Sequence, residues 1–133
     1  MYFYPISIGK TKKLTIIGGI NVLKDIDEAV EIGTIFKEAC ERNKISYVFK
    51  ASFDKANRTS FDGYRGPGFS KGLEMLREIK NILEVPILSD IHEPYQASKA
   101  AEVCDMLQIP AFLARQTDLI QALANTGRPI NIK

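Results

Sequence analysis

The 133-residue sequence has little net charge, no long apolar run and few cysteines. Its 18 basic and 16 acidic residues leave a formal charge of only +2, which argues against general nucleic-acid binding through bulk charge. No stretch approaches the roughly 20 apolar residues that a membrane-spanning helix needs. We therefore expect neither nucleic acid nor a membrane as a partner.

Two kinds of motif are also missing. Cys40 and Cys104 lie among apolar residues without CxxC spacing, which predicts reduced structural thiols in a reducing compartment. No GxGxxG follows the first strand pattern and no phosphate-loop motif is present, so a dinucleotide-binding fold is disfavoured. The first residues lack the basic segment and long apolar run of a signal peptide, so we expect none.

The chain alternates short apolar strand patterns with helical patterns. Strands are predicted at 14–17, 45–49, 85–88, 106–109 and 129–133, with a further short strand or hairpin at 2–10. Helices are predicted from 25 to 43 and from 69 to 83, then as a short segment around 97–103 and as a fourth from 117 to 126. This alternation predicts an α/β fold with a parallel sheet and right-handed crossovers. The first strand shows no alternation, which predicts cover on both faces.

Helix boundaries carry their own signals. Asp25 or Asp27 is predicted to cap the first helix, and Thr117 to cap the fourth. Gly127 suits the C′ position after the fourth helix.

Polar residues gather after the strands. The candidates are Asn21, the stretch 50–58, Asp90, Gln108, Arg115 and Lys133. Ligands bind at the carboxyl ends of the strands both in open doubly wound sheets and in (β/α)8 barrels, so we expect one site at this edge.

The stretch 50–60 is the richest of these, with two lysines, an arginine, an asparagine and three hydroxyls. Such donors suit a phosphate or a carboxylate. A solvated basic loop is the alternative interpretation, since charged loops are common. The whole connection from 51 to 68 is long for a compact domain, which favours a functional or mobile loop.

Four sequence blocks resemble 3-deoxy-D-manno-octulosonate 8-phosphate synthases over nearly the whole chain. They are FKASFDKANR (49–58), YRGPG (64–68), DIHEP (90–94) and QIPAFLARQTDL (108–119). The related 3-deoxy-arabino-heptulosonate 7-phosphate synthases share the fold and chemistry but differ in the lysine loop. Sialic acid synthases are more remote.

The resemblance implies a (β/α)8 TIM barrel that condenses phosphoenolpyruvate with arabinose 5-phosphate and releases phosphate. It implies a transferase of lipopolysaccharide biosynthesis (Kdo synthesis) in a Gram-negative cytoplasm, needing no cofactor. It also implies a homotetramer whose sites borrow residues from a neighbouring subunit.

The resemblance assigns roles residue by residue. On the phosphoenolpyruvate side it implies Lys50, Ser52, Lys55, Gln108, the Ala111 backbone and Lys133. For the sugar phosphate it implies Asn57, Arg58 and Thr59, with Arg58 acting across a subunit boundary. Asp90 corresponds to the acid near the sugar hydroxyls and the aldehyde, and Lys55 is the expected donor to the aldehyde oxygen. The role of Arg115 stays open.

Asn21 bears on metal use. Family members that need a divalent metal have Cys at this place and the others have Asn, so the resemblance implies a metal-independent site. Asn is a poor ligand where a thiolate is preferred. A turn residue after Gly18-Gly19 is the alternative for Asn21. His92 fits a hydrogen-bonded loop residue better than a ligand or base.

The sequence departs from the family in length, since it supplies five of the eight expected strands. We expect residues 1–133 to form a single domain that is the N-terminal part of the barrel. The Arg, His, Glu and Asp of the second half are then missing. Two functions follow: a synthase or its N-terminal part, or a catalytically inactive half-barrel that binds anions or self-associates. Such a half could pair edge to edge with a second copy or close into an open doubly wound sheet.

Overall fold

The computed structural model describes residues 8–9 and 12–133, and in this part five strands alternate with four α-helices. The strands are β1 (Thr15–Gly19), β2 (Ser46–Lys50), β3 (Ile87–Asp90), β4 (Met106–Ile109) and β5 (Ile130–Ile132). The helices are α1 (Ile26–Arg42), α2 (Phe69–Leu83), α3 (Ala97–Ala101) and α4 (Thr117–Ala124), with 3-10 turns at Pro94–Gln96 and Ala111–Leu113. Apart from residues 8 and 9, the strand or hairpin predicted at 2–10 lies outside the described residues.

All five strands are parallel and lie in the order β1-β2-β3-β4-β5. Each strand pairs with the next one in the chain, which is the arrangement of successive strands in a (β/α)8 barrel. The structure is thus a half-barrel, and the predicted α/β fold with five strands and four helices is confirmed.

The sheet separates two apolar clusters. The larger one lies between the strands and the helices and includes Phe49 and Leu107 together with Leu76 and Ile79 of α2. A smaller cluster joins Val48, Leu88 and Met106 from three adjacent strands. Neighbouring residues of a strand point to opposite faces, so Val48 and Phe49 belong to different clusters. The face that carries Val48 also carries Lys50, two residues further along β2.

The first strand is less covered than its sequence predicts. None of its five residues is fully buried, and 38% of the Ile17 surface is exposed. In the part of the chain that the structure describes, β1 pairs on one side only, with β2. The expectation that both of its faces are covered is therefore wrong: Ile17 pairs with Val48 and lies on the face of the sheet whose cluster includes no helix residue.

Of the two predictions of helix N-caps, the structure confirms one and contradicts the other. The Asp25 side chain accepts a 3.0 Å hydrogen bond from the Glu28 amide, so Asp25 is the cap of α1. The prediction for Thr117 is wrong: Gln116 occupies the N-cap of α4, with no side-chain capping bond, and Thr117 is the first helical residue. The preceding 3-10 turn delivers the chain into α4 one residue earlier than the sequence signal suggests. Helix α4 then ends at Ala124 with Asn125 as its C-cap, so Gly127, with a positive φ of 67°, lies one residue beyond the C′ position that was predicted for it.

Two glycines let the loop after β2 lie directly on the structure around it. A Cβ atom on Gly72, in the first turns of α2, would overlap the side chain of Phe53, which is fully buried. A Cβ atom on Gly66 would overlap the Phe53 carbonyl oxygen, and Gly66 has a φ of +127° that favours glycine. The start of the loop is therefore held close to α2.

Both cysteines are buried and free, as predicted. Burial raises the pKa of the Cys104 thiol to about 12. Among the helices of the described residues, none combines the length and the apolar character that crossing a membrane requires.

Candidate functional site

A cavity of about 670 Å³ opens at the carboxyl ends of the strands. From the β2 end and the loop after it, the predicted residues Lys50, Ser52, Lys55 and Asn57 line this cavity. From the other strand ends come Asn21, Asp90, Gln108, Ala111 and Lys133. The structure thus brings together nine predicted site residues that span 113 positions of sequence, from 21 to 133.

The strand register explains this convergence. Gly19 at the end of β1 pairs with Lys50 at the end of β2, which places Asn21 beside the same rim. Asp90 at the end of β3 pairs with Gln108 of β4, which in turn pairs with Asn131 of β5. Because all strands run the same way, their carboxyl ends meet at one edge.

A hydroxyl bridges the cation and the acid at the cavity floor. Lys50 Nζ donates a 2.7 Å hydrogen bond to Ser52 Oγ, and Ser52 Oγ donates to Asp90 Oδ1. Lys50 Nζ lies 3.7 Å from Asp90 Oδ1. All three residues are largely buried, so their charges interact more strongly than charges exposed to water do.

This environment shifts the pKa of both charged groups. Burial lowers the pKa of the Lys50 ammonium and so does the charge of Lys133, while Asp90 opposes these effects in part. Burial acts to raise the pKa of Asp90, but the hydrogen bond from His92, the charge of Lys50 and the hydrogen bond from Ser52 together lower it below its ordinary value. Asp90 therefore carries its charge at neutral pH.

His92 completes the surroundings of Asp90. Its Nε2 lies 3.2 Å from Asp90 Oδ2, and its ring packs edge-on against Phe53 with 5.7 Å between the ring centres. Its Nδ1 atom is buried and has no hydrogen-bond partner in the described part of the chain. His92 also lines the cavity. The interpretation of His92 as a hydrogen-bonded loop residue is consistent with this geometry.

The β4 and β5 ends provide an amide and a third lysine. The buried Gln108 accepts a 2.8 Å hydrogen bond at Oε1 from Asn131 Nδ2. The Lys133 amide donates to the Ile109 carbonyl at 3.2 Å, which fixes its backbone beside β4. The cavity thus combines the ammonium groups of three lysines with neutral hydrogen-bonding groups.

Three predicted candidates lie apart from this cluster. Within the described residues, the cavity lining does not include Arg58, Thr59 or Arg115. Arg58 folds back on its own loop: Nε donates to the Phe61 carbonyl at 3.2 Å, and the guanidinium lies 5.6 Å from the Phe61 ring centre. Thr59 and Arg115 are exposed.

Some lining residues were missed from the sequence. They are Pro110, Phe112 and Leu113 from the turn after β4, while Asp54, which also lines the cavity, lay in the candidate stretch 50–58 but was given no role. Phe112 is 79% exposed although it is aromatic. Both Asp54 and Phe112 stand inside the blocks quoted above, which was the available signal. An acid beside an anion site, and an apolar ring beside charged groups, gave no chemical reason to select them.

The donor set suits anions better than cations. In the described part of the chain, no group of three or more His, Cys, Asp or Glu side chains could hold a metal ion. Three ammonium groups, a hydroxyl and amides can instead neutralise and orient phosphate and carboxylate groups. Asp90 adds a buried acid within reach of the same space.

Sequence comparison places the chain in a family. The family described as "DAHP synthetase I family" matches residues 3–133. This chain belongs to the DAHP synthetase I family. Among the curated relatives, the 2-dehydro-3-deoxyphosphooctonate aldolase of Acinetobacter baylyi is 58% identical over 116 residues, which cover 87% of this chain and 41% of the relative.

Two other relatives of the same name are similarly close. The protein of Marinobacter nauticus is 54% identical over 128 residues, which cover 96% of this chain and 46% of the relative. That of Synechococcus is 51% identical over 128 residues, covering 96% of this chain and 45% of the relative. The name is a synonym of the synthase that the sequence blocks resemble, so the resemblance is confirmed. The chain spans about half the length of these relatives.

Proposed function

We propose that the cavity binds phosphoenolpyruvate and D-arabinose 5-phosphate for their condensation to 3-deoxy-D-manno-octulosonate 8-phosphate and phosphate. This would be a cytoplasmic step in making the lipopolysaccharide core. The observation that carries the proposal is the convergence of Lys50, Lys55 and Lys133 at one rim of the sheet, beside the buried Asp90. The name of the relatives supports the same reaction.

Phosphoenolpyruvate fits the lysine-rich part of the cavity. Lys55 and Lys133 hold its carboxylate and phosphate, with Gln108 beside the carboxylate. Ser52 and the Ala111 backbone contact the phosphate side, and Lys50 lies at the floor. Two multiply charged anions repel each other, so fixed cations are needed before their carbons can approach.

The sugar phosphate is assigned to the loop after β2. Asn57 lines the cavity, and Arg58 and Thr59 follow it along the loop. Arg58 folds onto Phe61 within its own chain, and we propose that it serves a neighbouring subunit of a homotetramer. Asp90 faces the sugar hydroxyls and the aldehyde.

The chemistry is a carbon–carbon bond formation followed by loss of phosphate. The enol carbon of phosphoenolpyruvate attacks the aldehyde carbon, and water adds to the carbon that bears phosphate. The aldehyde oxygen gains negative charge and takes a proton, for which Lys55 is the proposed donor. The bond between that carbon and the phosphate oxygen then breaks and releases inorganic phosphate, while the oxygen from water loses its second proton to solvent or phosphate and becomes the keto oxygen.

We propose that this reaction needs no metal ion, because Asn21 lines the cavity where a thiolate would serve a metal-dependent enzyme. The Asn21 amide instead offers a hydrogen bond to water or substrate. A test is the effect of a chelator on the phosphate release described below. Loss of activity that returns with added divalent metal would contradict this assignment.

The second candidate is a catalytically inactive half-barrel that binds anions. The cationic lining formed by Lys50, Lys55 and Lys133 supports it, because anion binding needs no further catalytic group. We propose in either case that residues 1–133 form one domain corresponding to the N-terminal part of a (β/α)8 barrel. The cationic rim is then a binding site whether or not the chemistry is complete.

One experiment separates these functions. Calorimetry measures phosphoenolpyruvate binding to this chain, and a colorimetric assay measures phosphate release when arabinose 5-phosphate is added. Release above background supports the synthase, and binding without release supports the inactive half-barrel. Lys55→Ala is expected to abolish release and to weaken binding by about tenfold or more.

Lys71→Ala is the matched control, because Lys71 is an exposed lysine on α2 outside the cavity lining. Near-normal release by Lys55→Ala would contradict the role of Lys55. Absence of binding by the unmodified chain would contradict both functions.

A further inference from the structure

The loop after β2 is closed at its base by an ion pair. Arg65 Nε donates to Asp54 Oδ1 at 2.7 Å, and Arg65 Nη2 donates to Asp54 Oδ2 at 3.0 Å. Two parallel bonds of this kind fix the relative orientation of both side chains, which a lysine could not do. We call this pair the Asp54–Arg65 clasp.

Backbone bonds join the same two segments. The Lys55 amide donates to the Arg65 carbonyl at 2.6 Å, and the Gly68 amide donates to the Phe53 carbonyl at 3.2 Å. Residues 53–55 are thereby paired with residues 65–68. The segment 56–64, which carries Asn57, is held at both of its ends by this pairing.

The clasp also pairs the negative charge of the Asp54 carboxylate with the guanidinium of Arg65. The Asp54 carboxylate lines the anion cavity, and 19% of its side chain is exposed. An unpaired carboxylate there would repel an anion and compete for the ammonium of Lys55. Arg65 does not line the cavity among the described residues, and its side chain is 58% exposed. It therefore holds the carboxylate from outside without occupying the ligand space.

We infer that Asp54 and Arg65 are positioning residues, which fix Lys55 and the segment 56–64 at the cavity and keep the Asp54 carboxylate from opposing the anion. This inference rests on the proposed function for the identity of the anion. The clasp itself stands on the ion pair and on the two backbone bonds. Lys55 and Asn57 touch the substrate, whereas the clasp acts through them.

Replacement of Asp54 separates positioning from simple electrostatics. Asp54→Ala removes a negative charge from the lining of an anion site and frees the cation of Arg65. Electrostatics alone predicts tighter binding of phosphoenolpyruvate. The clasp predicts weaker binding, by about tenfold, which corresponds to about 1.4 kcal/mol. Unchanged or tighter binding in calorimetry would overturn the inference.

Replacement of Arg65 gives a graded comparison. Arg65→Ala is expected to weaken phosphoenolpyruvate binding more than Arg65→Lys, which keeps the charge but loses the bidentate geometry. Equal binding by Arg65→Lys and the unmodified chain would show that charge alone matters, against the inference. The matched control is Glu38→Ala, which removes an acid and its exposed ion pair with Arg42 on α1, outside the cavity lining.

Amide hydrogen exchange tests the effect of the clasp on Lys55 in the absence of ligand. In the Asp54 and Arg65 variants, the Lys55 amide is expected to exchange at least about tenfold faster, because its hydrogen bond to Arg65 opens locally. The Phe49 amide, which bonds to the Pro86 carbonyl within the sheet, should keep its protection. Exposed ion pairs contribute little to overall stability, so we expect all variants to fold.

The binding and exchange measurements test the proposed function and the role of the clasp separately. If the unmodified chain does not bind phosphoenolpyruvate, the proposed function is wrong, and the exchange of the Lys55 amide still decides on the clasp. If that exchange is unchanged in every variant, the clasp does not position Lys55 and the inference is wrong.

Discussion

At the scale of single residues, the charge of Asp90 governs the cavity floor. Its carboxylate accepts hydrogen bonds from Ser52 and faces His92, with Lys50 within 4 Å. Removing the charge would leave the buried Lys50 ammonium without its counter-ion, which is the costly way to break a buried pair. Asp90 therefore contributes to folding as well as to the proposed chemistry.

The lowered pKa of Asp90 predicts a specific loss of stability in acid. A carboxyl whose folded pKa lies below its ordinary value of 3.8 stabilises the folded state above that pH. The contribution disappears as the pH falls through the folded pKa. We expect Asp90→Asn to lower the free energy of unfolding by about 1–3 kcal/mol at neutral pH.

The difference between Asp90→Asn and the unmodified chain should stay constant from about pH 7 to about pH 5 and shrink as the pH falls below 3.8 toward the folded pKa, measured by urea unfolding. Asp62→Asn, at an exposed loop position, is the control and should give no such difference. A constant difference across this range would show that the charge of Asp90 is not the cause.

At the scale of secondary-structure elements, α2 supports the loop that carries Lys55. Its Gly72 lies against the fully buried Phe53 side chain, and Phe53 also packs against Phe69, with 5.2 Å between ring centres. The loop can approach the helix this closely because Gly72 has no Cβ atom. The contact couples the position of α2 to that of the cavity.

We expect Gly72→Ala to destabilise the chain although alanine favours helix formation. The added methyl group would displace Phe53, and overpacking of a core costs about 1–3 kcal/mol. Helix propensity would return about 1 kcal/mol at most. Thermal unfolding of Gly72→Ala and of the exposed control Lys71→Ala tests this. A stabilised Gly72→Ala would show that Phe53 relaxes without strain.

The bounds of a helix or strand were predictable where one sequence signal, such as apolar periodicity or a helix-stopping motif, dominated. The apolar periodicity and the Gly-Pro-Gly stop gave α2 its observed bounds. The third strand was predicted at 85–88 but lies at Ile87–Asp90. Its last residues, Ser89 and Asp90, are polar, so an apolar run could not reveal their pairing with β4. Thr117 failed as a cap because α4 begins one residue earlier than that signal predicts, with Gln116 at the N-cap.

The candidate site was likewise predictable in one part and not in another. The rule that ligands gather at carboxyl strand ends predicted which residues meet, because it depends only on strand direction. The Asp54–Arg65 clasp was not predictable by that rule. Its residues lie 11 positions apart in one loop, and only the folded path of the loop brings their side chains together.

At the scale of the whole molecule, the half-barrel has two open edges in the part that the structure describes. Strand β1 pairs only with β2, and β5 pairs only with β4. Ile132 at the β5 edge is 63% exposed. Unpaired backbone groups next to apolar side chains favour pairing with another chain. A polypeptide of these residues alone would therefore offer both edges to a second copy.

A polypeptide that consists of these 133 residues alone is expected to associate in a concentration-dependent manner, measured by sedimentation velocity. Ile132→Lys should shift the species toward the monomer, because a charged residue at a strand edge opposes edge pairing. Ile35→Lys is the matched control, since Ile35 is similarly exposed but lies on α1. If both variants behave alike, association does not use the β5 edge.

The strand order also bears on how the molecule is made. Each strand finds its partner in the strand immediately before it, and the crossovers between them are local. A ribosome adding residues in sequence therefore never has to wait for a distant segment before the next pairing can form. Such a chain can assemble cotranslationally, one βα unit upon the last, and its nascent intermediates would each present a single new edge for the next unit.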